Sequence, residues 1–171
     1  MRTVVLGERP AELQALIDRR RALGLDRYDE LWRGEYHMAP FAHSSHGVVK
    51  SRLLFALEPR ARLAGLVAGD SFNLGEPEDF RVPDAGYHRA VPGTVYVATA
   101  AMVIEVLSPD DETFEKFDFY AAHGVDELLV ADPAVRSVRA WQRCGSAYEP
   151  RSASRLLGVD TDTLEREIDW P

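Results

Sequence analysis

The spacing of apolar residues predicts two helices in the first third of the chain. Apolar side chains recur at helical spacing between Pro10, which suits a first helical position, and Gly24, which suits a helix end. A second helical run begins after a cap at Ser44 or Ser45 and continues towards Leu57.

The segments between and beyond these helices carry the short apolar runs and turn residues that are typical of strands. Tyr28–Met38 is interrupted by Arg33-Gly34 and predicts a hairpin. Five further strands are predicted, the last two as a second hairpin: Gly65–Ala68, Ser71–Leu74, Phe80–Val82, Val135–Gln142 and Ala147–Glu149.

The middle of the chain predicts the topology. Met102–Leu107 is an apolar strand with one glutamate, Thr113–His123 predicts a helix, and Glu127–Ala131 predicts another buried strand. This order favours a parallel pair of strands joined by a helical crossover. With antiparallel hairpins at its flanks and a short terminal helix at Thr161–Ile168, all 171 residues are predicted to form one α/β domain with a mixed β-sheet flanked by helices.

The composition is that of one globular domain. The chain has 171 residues, of which 46% are hydrophobic and 28% are charged. No run approaches the roughly 20 apolar residues that span a bilayer, and no signal peptide is recognised before Pro10. Cys144 is the only cysteine, which excludes an internal disulfide and a zinc site made of cysteines alone. We therefore expect a cytoplasmic protein with no membrane partner.

Charge is distributed unevenly along the chain. The net charge is −8, but residues 1–62 carry 11 Lys/Arg against 8 Asp/Glu, whereas residues 63–171 carry 9 against 20. The basic residues of the first part form either a phosphate-facing surface or a solvated helix surface, and their charge alone does not decide between these. They are Arg19, Arg20, Arg21, Arg27, Arg33, Lys50, Arg52, Arg60 and Arg62.

Glu105 is the most informative residue because it interrupts a strand whose two faces should both be covered. An ionised carboxylate buried without a partner costs several kcal/mol, so Glu105 must be protonated, paired or bound to a metal. A buried ion pair with one of the 18 arginines and a metal site explain this residue equally well.

Two other residues gain interest beside Glu105. Asp84 ends the segment Phe-Arg-Val-Pro-Asp, where it acts either as a turn or cap residue or, with Glu105, as an oxygen ligand of Mg²⁺. Lys116 lies one turn into the helix that follows the Glu105 strand and can reach back over the end of that strand. Its alternative is a solvated helix lysine beside Glu115 and Asp118.

Several motifs together resemble the bacterial putative restriction-endonuclease domain family, which is similar to the PD-(D/E)XK nuclease superfamily. The similarity covers roughly residues 25–150, and the Glu-Val-Leu-Ser-Pro and Gly-Val-Asp-Glu blocks are its most specific parts. The matching motifs are Tyr28-Asp-Glu-Leu-Trp-Arg-Gly-Glu35, His46, Arg81-Val-Pro-Asp84, Val103-Ile-Glu-Val-Leu-Ser-Pro109, Glu115-Lys116, Tyr120, Gly124-Val125, Glu127 and Ala131-Asp132-Pro133.

The resemblance implies a restriction-endonuclease-like fold and roles for particular residues. It implies that Asp84 and Glu105 bind Mg²⁺ or Mn²⁺ with the Val106 carbonyl, and that Lys116 positions the attacking water. Two accessory residues are also implied: Glu35 as a further acid near the metal, and His46 as a contact to phosphate or metal. A helix-start histidine is, however, more often structural.

One position departs from the superfamily pattern. The lysine expected two residues after the acid, on the same face of the strand, is Leu107 here, and leucine has neither a charge nor a donor. The family that this chain resembles has the lysine on the next helix, which is Lys116. The segment between Ser108 and Glu115 is also shorter than in many members, which bears on whether Lys116 reaches Glu105.

Two functions follow as hypotheses. The first is metal-dependent hydrolysis of DNA phosphodiester bonds, with DNA as the partner. The second is a catalytically silent binding module on the same fold, assembled as a homo-oligomer such as a homodimer. The acidic second part of the chain favours the silent module modestly. Serine hydrolysis through Ser44-Ser45-His46 ranks well below both, since no acid at triad spacing accompanies it.

Overall fold

The computed structural model describes residues 10–39, 43–109 and 111–171, together with the backbone of residues 3–5. The helices are α1 (Ala11–Ala22), α2 (Ser44–Leu63), α3 (Phe117–Ala122) and α4 (Thr161–Glu167). The strands are β1 (Thr3–Val5), β2 (Glu30–Trp32), β3 (Glu35–Met38), β4 (Val67–Asp70), β5 (Asn73–Glu76), β6 (Asp79–Arg81), β7 (Ala85–His88), β8 (Tyr96–Val97), β9 (Met102–Val106), β10 (Glu127–Asp132), β11 (Ser137–Cys144), β12 (Ala147–Arg151), β13 (Ala153–Ser154) and β14 (Val159–Asp160).

The central sheet has the strand order β12-β11-β10-β9-β7-β4. Strands β9 and β10 are parallel, and α3 lies in the crossover between them, as predicted. The other neighbours in this sheet pair antiparallel, so the sheet is mixed. The predicted second hairpin, β11–β12, forms one edge of it.

Helices cover the central sheet on both faces. The apolar side of α2, which includes Val49, Leu53 and Leu57, packs with α4 against one face in the larger hydrophobic core. A smaller core on the other face contains Tyr120 of α3 and Leu74 of β5. The sheet is therefore a buried layer, and a polar side chain on it needs partners.

The first predicted hairpin lies in a different place from the one expected. Strands β2 and β3 pair as predicted around Arg33 and Gly34, whose positive φ angles of 50° and 91° suit a tight hairpin turn. The hairpin does not flank the central sheet, however. It belongs to a second sheet with the order β1-β3-β2-β6-β5-β8.

Strand β7 was not predicted, because Ala-Gly-Tyr-His has little of the composition of a strand. It forms because it has a partner on each side, β4 and β9. A Cβ on Gly86 would lie 2.5 Å from the Met102 carbonyl oxygen, so the close approach of β7 and β9 requires glycine here.

The predicted helices are present with shifted ends. Helix α2 continues beyond Leu57 to Leu63 and includes Pro59. The segment predicted as one helix from Thr113 begins as a 3-10 turn, Thr113–Lys116, and continues as α3. Within the described residues, no helix is long and apolar enough to cross a membrane.

Candidate functional site

The pleat of β9 places the Glu105 side chain on the opposite face of the sheet from the residues next to it in sequence, Ile104 and Val106. Ile104 and Val106 join the larger core under α2, whereas Val103 belongs to the smaller core beside α3. Because side chains alternate between the faces of a strand, Glu105 lies on the same side as Val103. Its side chain is almost fully buried.

Several donors surround the Glu105 carboxylate. Its Oε1 accepts hydrogen bonds from the Tyr120 hydroxyl at 2.5 Å and from Lys116 Nζ at 3.3 Å, and the Asp84 backbone N–H lies 3.4 Å from Oε2. Burial raises the pKa of Glu105 to about 7, with Lys116 lowering it and the Asp84 carboxylate raising it. The cation beside Glu105 is thus a lysine and not one of the arginines proposed as the alternative.

Asp84 comes from the segment between β6 and β7, directly before β7. Its Oδ2 accepts a hydrogen bond from the Val106 backbone N–H at 2.8 Å and lies 3.0 Å from His46 Nε2. The Asp84 side chain is 25% exposed, so solvent reaches it. This carboxylate therefore lies beside β9, on the accessible side of Glu105.

His46 enters the site from the first turn of α2. Burial lowers the pKa of His46, but the hydrogen bond and the charge of Asp84 outweigh burial and raise it overall. When His46 is protonated, it forms an ion pair with Asp84. The structure brings His46 to an acid of the site, and its predicted contact to phosphate or metal stays a prediction.

Lys116 is buried, which corrects the alternative of a solvated helix lysine. Its side chain is only 5% exposed, and its Nζ lies 2.8 Å from Glu30 Oε1 and 3.3 Å from Glu105 Oε1. Despite the short segment before Glu115, the 3-10 turn carries Lys116 back over β9. Two carboxylates from different sheets therefore share this ammonium.

Glu30 is the site residue that sequence reasoning missed. Its side chain is buried on β2 and accepts hydrogen bonds from the Val82 backbone N–H at 2.8 Å and from Trp32 Nε1 at 2.6 Å. The sequence does point to Glu30, because this residue belongs to the Tyr28–Glu35 motif and lies in a short predicted strand. The acid that the resemblance implies from this motif is Glu35, whose side chain is 46% exposed and lies 4.0 Å from His37. Its role as an accessory acid stays a prediction.

The donor set at Asp84 and Glu105 fits a hard divalent cation. One carboxylate comes from the segment before β7 and the other from the adjacent strand β9. Mg²⁺ is commonly held by one or two carboxylates with water completing its shell. In the residues that the structure describes, no group of three or more His, Cys, Asp and Glu side chains is arranged to hold a metal ion. A cation here would thus depend on Asp84, Glu105, backbone oxygen such as the Val106 carbonyl, and water.

The basic residues of the first part of the chain are largely engaged in ion pairs. Lys50 Nζ lies 2.7 Å from Asp70, and Arg60 pairs with Glu167 at 2.8 Å. Four other members of the set are paired with acids as well: Arg20, Arg21, Arg52 and Arg62. This pairing favours the solvated surface over the phosphate-facing one.

Comparisons with other proteins give one family match and one similar fold. The model of the Uma2 family, described as "Putative restriction endonuclease", matches residues 21–169. The fold is similar to that of a crystal structure described as a "putative nuclease belonging to DUF820" from Anabaena variabilis. That match has a TM-score of 0.63 and 15% sequence identity, and it covers 82% of this chain and 90% of the other. Among curated proteins, none matches the chain. The predicted fold class is confirmed.

Proposed function

Because the chain belongs to the Uma2 family of restriction-endonuclease-like proteins, as the sequence resemblance predicted, we propose that it hydrolyses DNA phosphodiester bonds in a metal-dependent reaction. The observation that carries the proposal is the convergence of Asp84, Glu105 and Lys116, which come from three separate segments of the chain. A buried lysine that contacts the more buried of two neighbouring carboxylates is an arrangement suited to catalysis as well as to structure.

Asp84 and Glu105 are the residues proposed to hold Mg²⁺ or Mn²⁺, with help from the Val106 carbonyl. When bound, such a cation would polarise the phosphate and lower the pKa of a coordinated water. The Val106 N–H and His46 both contact Asp84 Oδ2, so the orientation of this carboxylate is set before any ligand arrives.

Lys116 is proposed to position the attacking water and to offset negative charge in the transition state. Its ammonium is held next to Glu105 in surroundings that exclude most solvent, where electrostatic effects are stronger than in water. Leu107 cannot supply a charge, so this function would fall to Lys116. The hydroxyl of Tyr120 fixes the Glu105 oxygen nearest the lysine.

Cleavage of DNA by purified protein tests the proposal. Wild type should nick or degrade DNA in the presence of Mg²⁺ or Mn²⁺, whereas Asp84→Asn and Glu105→Gln should each lose about 100-fold or more in rate. Low salt is required because the net charge of −8 opposes the approach of phosphate. Asp70→Asn is the matched control, since Asp70 is an acid of comparable size on the exposed end of β4.

Single- and double-stranded DNA should both be offered, and the protein should be verified as folded before each assay. If folded wild type cleaves neither substrate with either metal, or if Glu105→Gln cleaves as fast as wild type, then Asp84 and Glu105 are not a nuclease site.

A second function, a catalytically silent homo-oligomeric binding module, is favoured by a different observation. Most of the basic residues that would meet DNA are already paired with acids, and the protein is acidic overall. If the protein is such a module, its mass in solution should correspond to more than one chain and should not change with metal. It should also not cleave DNA.

A further inference from the structure

The carboxylate of Glu30 is buried and surrounded by hydrogen-bond donors. Donors from three different parts of the chain point to it: the Val82 backbone N–H, the indole of Trp32 and the ammonium of Lys116. Its side chain is almost completely removed from solvent. Charge-assisted hydrogen bonds of this kind fix both the position and the orientation of a carboxylate.

The groups behind Glu30 are themselves fixed by stacking. The Trp32 ring stacks on His37 with centroids 4.1 Å apart, and the Arg81 guanidinium lies 4.4 Å from the Trp32 ring centroid. Arg81 in turn lies 4.0 Å from the centroid of Phe119, the residue before Tyr120. Trp32 therefore cannot rotate its N–H away from Glu30 without disturbing a packed layer.

The position of Glu30 links the two sheets of the molecule at the site. Glu30 comes from the second sheet, whereas Glu105 comes from the central sheet, and Lys116 lies between them. The Glu30–Lys116 distance of 2.8 Å is shorter than the Glu105–Lys116 distance of 3.3 Å. Glu30 also holds Val82, two residues before Asp84. The Glu30 side chain thus contacts Lys116 and the segment that carries Asp84, which are two of the three parts of the proposed site.

From this geometry we propose that Glu30 is a positioning residue, which holds the Lys116 ammonium over Glu105 and fixes the segment that carries Asp84. The inference rests on the proposed nuclease function for its kinetic consequence, but its structural part can be tested without cleavage. Glu30 does not contact the reacting atoms in this account. It acts through Lys116.

Nitrogen-15 NMR of the lysine side chains tests the structural part. The chain contains only two lysines, Lys50 and Lys116, so a lysine-labelled sample gives two ammonium signals, and Lys50→Arg assigns them. A buried, hydrogen-bonded ammonium exchanges its protons slowly, so wild type should show a protected Lys116 signal. Glu30→Gln should broaden or lose that signal, because the amide offers no charge to the ammonium.

Single-turnover cleavage tests the kinetic part. Glu30→Gln should cleave about 10–100-fold more slowly than wild type, the usual range for groups that orient a ligand or catalytic residue. Trp32→Phe keeps the ring and removes the indole N–H, so its rate should fall between the two. If Glu30→Gln does not fold, the NMR and kinetic comparisons of Trp32→Phe with wild type decide the question.

A matched buried carboxylate provides the control for general destabilisation. Glu127 is also buried and accepts from three donors, the Ser154 hydroxyl and the backbone N–H groups of Arg155 and Leu156. Glu127→Gln should leave the Lys116 signal and the cleavage rate of folded protein unchanged.

The proposal for Glu30 is overturned if Glu30→Gln retains the protected Lys116 signal, or if it cleaves like wild type. It is also overturned if Glu127→Gln perturbs both readouts to the same extent. If wild type does not cleave DNA at all, the proposed function fails, and the NMR comparison still decides whether Glu30 holds Lys116.

Discussion

Replacing Lys116 by methionine removes a buried cation while keeping a long, flexible side chain of similar volume. The ammonium lies 2.8 Å from Glu30 and 3.3 Å from Glu105, and all three side chains are at most 5% exposed. Without the cation, two carboxylates would face each other in a site that water barely enters. Breaking a buried pair by removing one partner typically costs about 3–5 kcal/mol.

That cost is a large share of the stability of a domain of this size. The free energy of unfolding of natural domains is about 5–15 kcal/mol. For a chain of 171 residues, each kcal/mol of lost stability lowers the Tm by about 2–4 °C. Lys116→Met should therefore lower the Tm by roughly 10 °C.

Urea unfolding followed by tryptophan fluorescence measures the free energy of unfolding of each variant. Lys50→Met is the control, because the partner of Lys50, Asp70, is mostly exposed and such pairs contribute about 0–1 kcal/mol. Adding Glu105→Gln to Lys116→Met should recover about 1–3 kcal/mol relative to additivity, since the two side chains are in contact. The reasoning is refuted if Lys116→Met costs no more than Lys50→Met.

A bound metal, the protonation of Glu105 and its hydrogen bond from Tyr120 should each change the stability of the protein. Millimolar Mn²⁺ should raise the Tm of wild type but not of Asp84→Asn, and an equal rise in both would place the ion elsewhere. The pKa of Glu105 in the folded protein is about 7 against an ordinary value of 4.5, so its contribution to stability is complete below about pH 4.5 and is lost as the pH rises to about 7. The free energy of unfolding of metal-free wild type should thus fall by up to about 3 kcal/mol over this range, and that of Glu105→Gln should fall much less. Urea titrations that give the two proteins equal pH profiles would contradict the raised pKa of Glu105. Tyr120→Phe removes a donor to Glu105 and should cost about 1–3 kcal/mol in the same assay, whereas a change under 0.5 kcal/mol, roughly that of a neutral surface substitution, would show that this hydrogen bond contributes nothing.

The parts of the fold that depend on local pattern were predictable from the sequence. The parallel pair β9 and β10 follows from two apolar runs separated by a helical segment, and the β2–β3 hairpin follows from Arg33-Gly34. Strand β7 was not predictable in this way, because its pairing depends on strands on both sides and on the space left by Gly86.

The candidate site could be predicted in part because one charged residue stands in an otherwise apolar strand. Glu105 stands out because a carboxylate in an apolar strand must have a partner, and the resemblance to a nuclease family pointed to Asp84 and Lys116 beside it. The part taken by Glu30 was missed for a physical reason. It depends on a contact between the two sheets, and no spacing along the chain encodes that contact.

A crystal of the protein soaked in Mn²⁺ would show where the metal binds, because the anomalous signal of manganese locates the ion without any assumption about activity. We expect a peak between Asp84 and Glu105, at about 2.0–2.6 Å from a carboxylate oxygen of each. The peak should be absent from crystals of Glu105→Gln soaked in the same way. A peak at another place, or no peak at these two carboxylates in well-ordered wild-type crystals, would contradict the claim that they form a metal site.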